Sequence, residues 1–326
     1  MYKKFFVIRP LFCGLLFSSL SFSIQAETTE PVEKKLWVDE QHGSIRSTLH
    51  SWANSIDSWF DETDPNNPAT ASIRVMLDNQ WNRYDGYSIK PRVRGKLRLP
   101  ALKRRFSLVF GDESLDTEIT ETHLDNNYTD KPKDKHYNRT QARNDNSSLA
   151  LRWSTLPDDL GVDLDFDIGI RSGDDLYLRA KGEKIWALQD DYSVRAEAIY
   201  RYGIDSKHYV RGNVELKHDD TETTFTANSI YLQYTNDLKK EETVWGNSLY
   251  RQHNFTGNKR LNYGLFAGGY FKDKEGSLNT YGPFISYRQP ILRQWLFIQP
   301  ELSYYNDKRE DRSHYLRAFL RIEAIF

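Results

Sequence analysis

Residues 88–100 read "SIKPRVRGKLRLP", with Lys90, Arg92, Arg94, Lys96 and Arg98 on successive even positions and Ile89, Val93, Leu97 and Leu99 on odd ones. Neighbouring side chains of a β-strand point to opposite faces, so the segment has one charged face and one oily face. The same two-residue period recurs from residue 69 to the end. "VDLDFDIGI" sets Val162, Leu164, Phe166, Ile168 and Ile170 against Asp163, Asp165 and Asp167. "HYLRAFLRIEAIF" sets Leu316, Ala318, Leu320, Ile322, Ala324 and Phe326 against Arg317, Arg321 and Glu323.

Fourteen such segments are expected, over 69–82, 87–100, 104–111, 147–155, 161–172, 175–188, 192–204, 208–218, 223–235, 242–254, 260–272, 278–289, 295–305 and 313–326. The segments near 104 and 242 are the least regular, which leaves twelve strands as the alternative count. Most reach the nine to eleven residues that a tilted membrane-crossing strand needs, whereas soluble strands average about five or six. Aromatic residues fall at strand ends. Trp81, Tyr87, Tyr202, Tyr234, Trp245 and Tyr304 belong to one rim, and Trp153, Trp186, Tyr192, Tyr287, Trp295 and Phe326 to the other, as in interfacial girdles. The expected fold is all-β: a transmembrane antiparallel up-and-down barrel over 69–326 with a short N-terminal amphipathic helix.

Residues 1–26 read as an export signal. Lys3, Lys4 and Arg9 precede the apolar "PLFCGLLFSSLSF", and "SIQA" supplies small residues before Glu27. The single cysteine, Cys13, lies inside this segment, so no disulfide is expected. The whole chain carries a formal charge of -1, 14% aromatic residues with 20 Tyr, and a mean hydropathy of -0.73. That balance gives no nucleic-acid partner. No run of about 18 apolar residues follows the signal, which rules out membrane helices.

Residues 27–68 form a segment apart, expected in the periplasm. There Ile45, Leu49, Trp52, Ile56 and Trp59 recur at helical spacing and define the expected contact face of a helix starting near Ser44 or Ser47 and ending before "DPNNP". One helix of roughly four turns is marginal alone in water, so it must dock. Plugging the barrel, lying on the inner leaflet and binding a periplasmic partner are the three options.

Taken together, the leader, the sustained period-two strands and the final "YLRAFLRIEAIF" resemble Gram-negative outer-membrane β-barrel proteins. The resemblance implies residence in the outer membrane, contact with its lipid and lipopolysaccharide, and recognition of Leu320, Ile322 and Phe326 by the barrel-assembly machinery. "HGSIRSTLHSWANSIDSWFD" (42–61) with "VRGKLRLPALKRRFSLVFGDE" (93–113) is similar to uncharacterised proteobacterial outer-membrane proteins, a likeness that carries no known activity.

Facing lipid, each Lys or Arg at midplane would cost about 2–4 kcal/mol, so the cations of 90–98 must face inward. Extending that assignment to Arg179, Lys181, Arg251, Arg317, Arg321 and the rest gives eighteen inner cations against nine anions, the latter including Asp163, Asp165, Asp167 and Glu323. Fourteen strands enclose more space than side chains alone fill. Two readings follow: a salt-bridged filling, or a water-filled passive pore whose positive lumen favours anionic solutes. A non-conducting structural or partner-binding barrel is the alternative, and an outer-membrane lipid hydrolase a more distant one.

Signals for catalysis are weak, and the chain is not expected to be an enzyme. His42 with Ser44, His208 with Ser206, and the group Asp307, Glu310, Asp311 and His314 supply the residue types without a clear orienting partner. No cofactor or metal is expected. The loop 112–146 carries Asp125, Asp130 and Asp134, but its lysines oppose a cation cage; Lys131, Lys133 and Lys135 suit lipopolysaccharide phosphates at the cell surface instead.

Overall fold

The computed structural model describes residues 36–59, 68–102, 105–116, 137, 139–155, 161–236, 241–272 and 275–326. The expected leader and the lysines and aspartates of 117–136 lie outside them. Fourteen strands form the wall: β1 (Thr70–Asn82), β2 (Gly86–Arg98), β3 (Phe106–Gly111), β4 (Leu149–Ser154), β5 (Asp163–Arg171), β6 (Asp175–Ala187) and β7 (Tyr192–Gly203), then β8 (Lys207–Thr221), β9 (Thr224–Asn236), β10 (Glu241–Phe255), β11 (Lys259–Lys272), β12 (Thr280–Ile291), β13 (Arg293–Asp307) and β14 (Arg312–Ile325). Glu275–Gly276 adds two residues of pairing to β11. Both segments of irregular pattern are strands, so the count is fourteen.

Each strand pairs antiparallel with its chain neighbour, and β1 pairs with β14 from Arg74↔Ile325 to Asn82↔Arg317. The sheet therefore has no open edge. A thirteen-residue strand such as β1, at roughly 3.3 Å per residue and a tilt of about 40°, rises ~33 Å, enough to cross an apolar band of about 25 Å. Outward positions such as Val75, Leu77, Phe166, Ile168, Leu232 and Leu265 are exposed, whereas Asp78, Arg92, Asp167, Arg179, Arg321 and Glu323 are buried inside.

The wall is low at one place. β3 and β4 have six residues each, and β3 pairs only with Arg94–Arg98, leaving the upper half of β2 without a strand on that side. Asn146 fills the notch: its Oδ1 accepts from the Val93 N–H (2.6 Å), and its Nδ2 donates to the Pro91 carbonyl (2.9 Å). The helix α2 (Arg139–Asp145) brings it there. Gly111 ends β3 with φ +93°, and a Cβ at this residue would lie 2.1 Å from the Val93 carbonyl oxygen. Only glycine lets the chain turn off the wall here.

The helix α1 runs over Trp37–Asp57, starting seven residues before the earlier of the two expected serines. Asp39 accounts for the difference, since its carboxylate accepts the Leu36 N–H (2.8 Å) and holds Arg293 of β13 bidentately at 2.6 Å. The contact face is also turned from the expected one. Leu49 and Ala53 are buried and Ile56 half-buried, while Ile45, Trp52 and Trp59 are exposed. Small Ala53 allows close approach to Ala69, Leu97 and Leu99, with Ala71, Leu108 and Phe110 around them. These are outward-facing residues of β1–β3 and their ends, so α1 lies against the outside of the wall and leaves the lumen clear. At its other end His42 stacks on both Trp295 (4.2 Å) and Phe326 (5.0 Å), with Nε2 3.0 Å from the Ile325 carbonyl. The helix thus straps the β14–β1 seam.

Across that seam Arg321 grips Asp78 through two 2.7 Å bonds, with Arg92 at 3.6 Å on the same carboxylate. Removing one partner of a buried pair leaves an uncompensated charge, at a cost of about 3–5 kcal/mol. Asp78→Ala should therefore lower the denaturant midpoint of the detergent-folded barrel strongly, and Asp78→Leu with Arg321→Leu should recover much of the loss. An unchanged midpoint in the single variant would contradict this account.

Candidate functional site

The strand pattern alone places Arg92 and Arg94 on β2, Arg152 on β4, Arg171 on β5, Arg179 and Lys181 on β6 and Arg201 on β7, all on the inner face. Such crowding of cations requires counter-charge. Part comes from the wall: Asp167 binds Arg152 (2.7 Å) and Arg179 (2.9 Å), Asp165 lies 3.4 Å from Arg152, and Glu197 binds Lys181 at 3.0 Å. The rest comes from the chain just past Gly111, which enters the lumen through the notch as a single turn, Glu113–Asp116.

Three acids of that turn and its approach meet the arginines. Asp112 accepts from Arg92 at 2.7 Å and from the Ser114 N–H at 3.0 Å. Glu113 holds Arg201 at 2.7 Å and Arg171 at 3.1 Å. Asp116 lies among three guanidinium groups, those of Arg94, Arg152 and Arg179, and Lys181 Nζ donates to its backbone carbonyl (3.0 Å). Returning through α2, Asp145 pairs with Lys90 at 2.9 Å. The expectation that the whole loop 112–146 faces outward is therefore corrected at its first residues, which the arginine excess draws inward.

Burial by itself would raise the Asp116 carboxyl, but the guanidiniums of Arg94, Arg152 and Arg179 outweigh it and hold its pKa well below the usual carboxylate range. Asp112 follows the same pattern, burial opposing and Arg92 prevailing.

The two halves of the lumen differ. Around β14 and β1–β7 the inner face is charged and paired, with Glu323 between Arg74 (2.6 Å) and Arg288 (2.8 Å) at its lower end. Along β9–β13 it is mostly uncharged: Gln233, Ser248, Asn262 and Gln299 are buried there beside an aromatic group of Tyr231, Phe266, Phe284 and Tyr305, with Arg288 and Glu301 as charged exceptions. Arg211 lies over the Tyr231 ring at 4.4 Å, where the two halves meet.

The cations expected at the lumen separate into two sets. Arg92, Arg94, Arg179, Lys181, Arg317 and Arg321 are buried; Lys96 and Arg98 are exposed at the rim where both wall ends lie, and neither has a bonding partner among the described residues. Asp167 is buried, Asp165 half-buried and Asp163 exposed. Arg251 departs from its inward assignment. It shares the outward parity of Leu249 and pairs with Asp220 (3.3 Å), which His218 and Thr226 also contact, at the water-facing end of β10. Leu320 and Ile322 lie on the outer face, and the Phe326 ring rests under His42.

None of the candidate catalytic pairs assembles a nucleophile and base. His42 is held in its aromatic stack, His208 lies beside Tyr200 and Tyr202, and His314 packs on Tyr281 and Tyr304. Among the described residues no group of three or more His, Asp or Glu side chains is placed to hold a metal ion.

A closed antiparallel wall, apolar outside and ion-paired inside, defines a transmembrane β-barrel, since only closed sheets can leave no backbone group unsatisfied in lipid. The protein is a closed fourteen-stranded antiparallel barrel with one N-terminal helix. No family model and no curated protein matches its sequence. Among solved structures it is similar to a loop L8 deletion mutant of OmpT, an outer membrane protein of Vibrio cholerae (9% identity, TM-score 0.44, 79% of this chain and 99% of that one). It is also similar to the outer membrane channel DcaP of Acinetobacter baumannii (10%, 0.42, 81% and 99%) and to Pseudomonas putida OprB (10%, 0.44, 90% and 99%).

A carboxyl whose folded pKa is depressed contributes stability above its unfolded value of roughly 3.9 and loses it only as pH falls through the folded value. The Asp112 and Asp116 pairings should accordingly survive acidification from pH 7 to about 4. A spin label at Ser114→Cys, on a Cys13→Ser background, should remain immobilised across that interval; mobility rising between pH 6 and 4 would contradict it.

Proposed function

We propose that this barrel is a narrow, water-filled pore in which the inward turn 112–116 forms the constriction and small anionic solutes pass along the arginine-bearing half. The observation that carries the reading is Asp116 held by Arg94, Arg152 and Arg179. The turn narrows the lumen and supplies negative charge to a wall that would otherwise repel itself. Tallies of strand residues alone omit Asp112, Glu113 and Asp116, so the positive excess is smaller than the strand pattern gives. Anion preference then comes from the cations outside the paired belt, with Lys96 and Arg98 at the mouth. Charge in a low-dielectric channel focuses counter-ions, so a modest excess suffices for selectivity.

Purified protein in planar bilayers should give small, discrete conductance steps with a reversal potential on the anion side in a salt gradient. Asp116→Asn should raise the anion-to-cation permeability ratio, because three guanidiniums lose a shared counter-charge, while Lys96→Glu with Arg98→Glu should lower it. Absence of conductance, or cation preference in the unmodified protein, would end this reading and favour a structural barrel.

A further inference from the structure

The exposed side of α1 is an apolar feature that neither the wall nor the lumen explains. Trp37, Ile45 and Trp52 are exposed by 71, 41 and 61% in a helix that is otherwise firmly docked, and Trp59, two residues past its end, by 76%. At 100° per residue the three helical positions fall within about 80° of one another around the helix axis. Next to them comes the barrel-facing sector with Leu49, Ala53 and Ile56, and the remaining side carries Glu40, Ser44, Ser47, Ser51 and Asn54, all exposed. The helix thus has three sectors: one for the wall, one apolar and one polar.

Its placement assigns those sectors. The helix runs around the rim across several strands, from Arg293 and Trp295 of β13, over Phe326, to Ala101 beyond β2, whose N–H donates to buried Asp57 (3.0 Å). An axis crossing neighbouring strands in turn is tangential to the wall and lies close to the membrane plane. It also rests on the outer side of β1–β3, the side whose higher residues Val75 and Leu77 face hydrocarbon, at the rim that carries Trp153, Trp186 and Tyr192. The apolar sector of α1 is thus continuous with the lipid-facing surface of the barrel. Gln41, Thr48 and Ser55 also fall inside that sector; Thr48 turns its hydroxyl back onto the Ser44 carbonyl (2.9 Å), and Gln41 and Ser55 are exposed beside the large apolar side chains.

We propose that α1 is an interfacial helix whose Trp37–Ile45–Trp52–Trp59 stripe is embedded at the headgroup–acyl boundary of the periplasmic leaflet, so that phospholipid is its partner. Tryptophan favours that boundary, and a tangential helix with one apolar and one polar side suits it. The strap over the β14–β1 seam is then held on one side by the wall and on another by lipid. This inference stands on the position of α1 and is independent of whether the lumen conducts.

The test uses the full chain on a Cys13→Ser background, refolded into phosphatidylethanolamine–phosphatidylglycerol vesicles, with single spin labels at Ile45→Cys, Trp52→Cys, Ser51→Cys and Asn54→Cys. Labels at 45 and 52 should collide several-fold more with oxygen than with a water-soluble nickel chelate, and labels at 51 and 54 should show the reverse. A label at 52 as accessible to nickel as the one at 54 overturns the proposal, and so would shielding of 52 from both reagents. The unlabelled chain gives a second reading that needs no cysteine: brominated phospholipid should quench the emission lost on Trp52→Tyr, and failure to quench it would count equally against lipid contact.

Discussion

Hydrocarbon outside the wall accepts neither an unpaired backbone group nor a charge, and most of the molecule follows from that. Closing the sheet through β1 and β14 removes the edges, and turning the charges of the lipid-facing band inward satisfies the second condition. The second step creates a new difficulty, because a lumen lined by Arg92, Arg94, Arg152, Arg179 and Arg201 repels itself unless acids come close. Buried ion pairs are costly to desolvate and repay that only with good geometry. Here the geometry is supplied by forked contacts: Asp167 to Arg152 and Asp116 to Arg94 each engage two oxygens.

The inward turn depends on a local defect in an otherwise regular wall. Because β3 and β4 have six residues each against thirteen in β2 and nine in β5, the chain has an opening through which to leave the rim, and Gly111 supplies the backbone angle. Asn146 then satisfies the strand groups that the shortened neighbours leave bare. Wall, notch and constriction form one construction, in which three acids of the loop are as much a part of the lumen as the strands.

How much of this was legible in the sequence differs by element, for physical reasons. Lipid on one side and polar lumen on the other impose period two without exception, so all fourteen strands could be read, even where Lys207–Thr221 runs three residues past its expected end. The helix was harder. Its strongest apolar stripe, Ile45–Trp52–Trp59, is the one left uncovered, while the docked side relies on Ala53, whose value is its smallness and which no hydrophobic pattern singles out. Ser44 and Ser47 resemble helix starts, yet Asp39 does the capping through the Leu36 N–H, its carboxylate held by Arg293, 254 positions away. The lumen site was half visible. The arginines followed from parity, but the acids of "GDESLD" lie in a loop, where alternation says nothing. An inner face with nine uncompensated cations was the available sign that counter-charge had to come from elsewhere. Arg251 escapes the inward rule because the end of a strand stands in water, where an outward cation costs little.

The Asp78 carboxylate bears on how the molecule is made. Its bidentate partner, Arg321, is on the last strand, and until that strand docks Asp78 has only the more distant guanidinium of Arg92. An unfinished barrel therefore carries a poorly neutralised acid at the same edge that exposes its bare amides. Docking of the last strand removes both liabilities at once, so the pair favours the sealed wall over the open one.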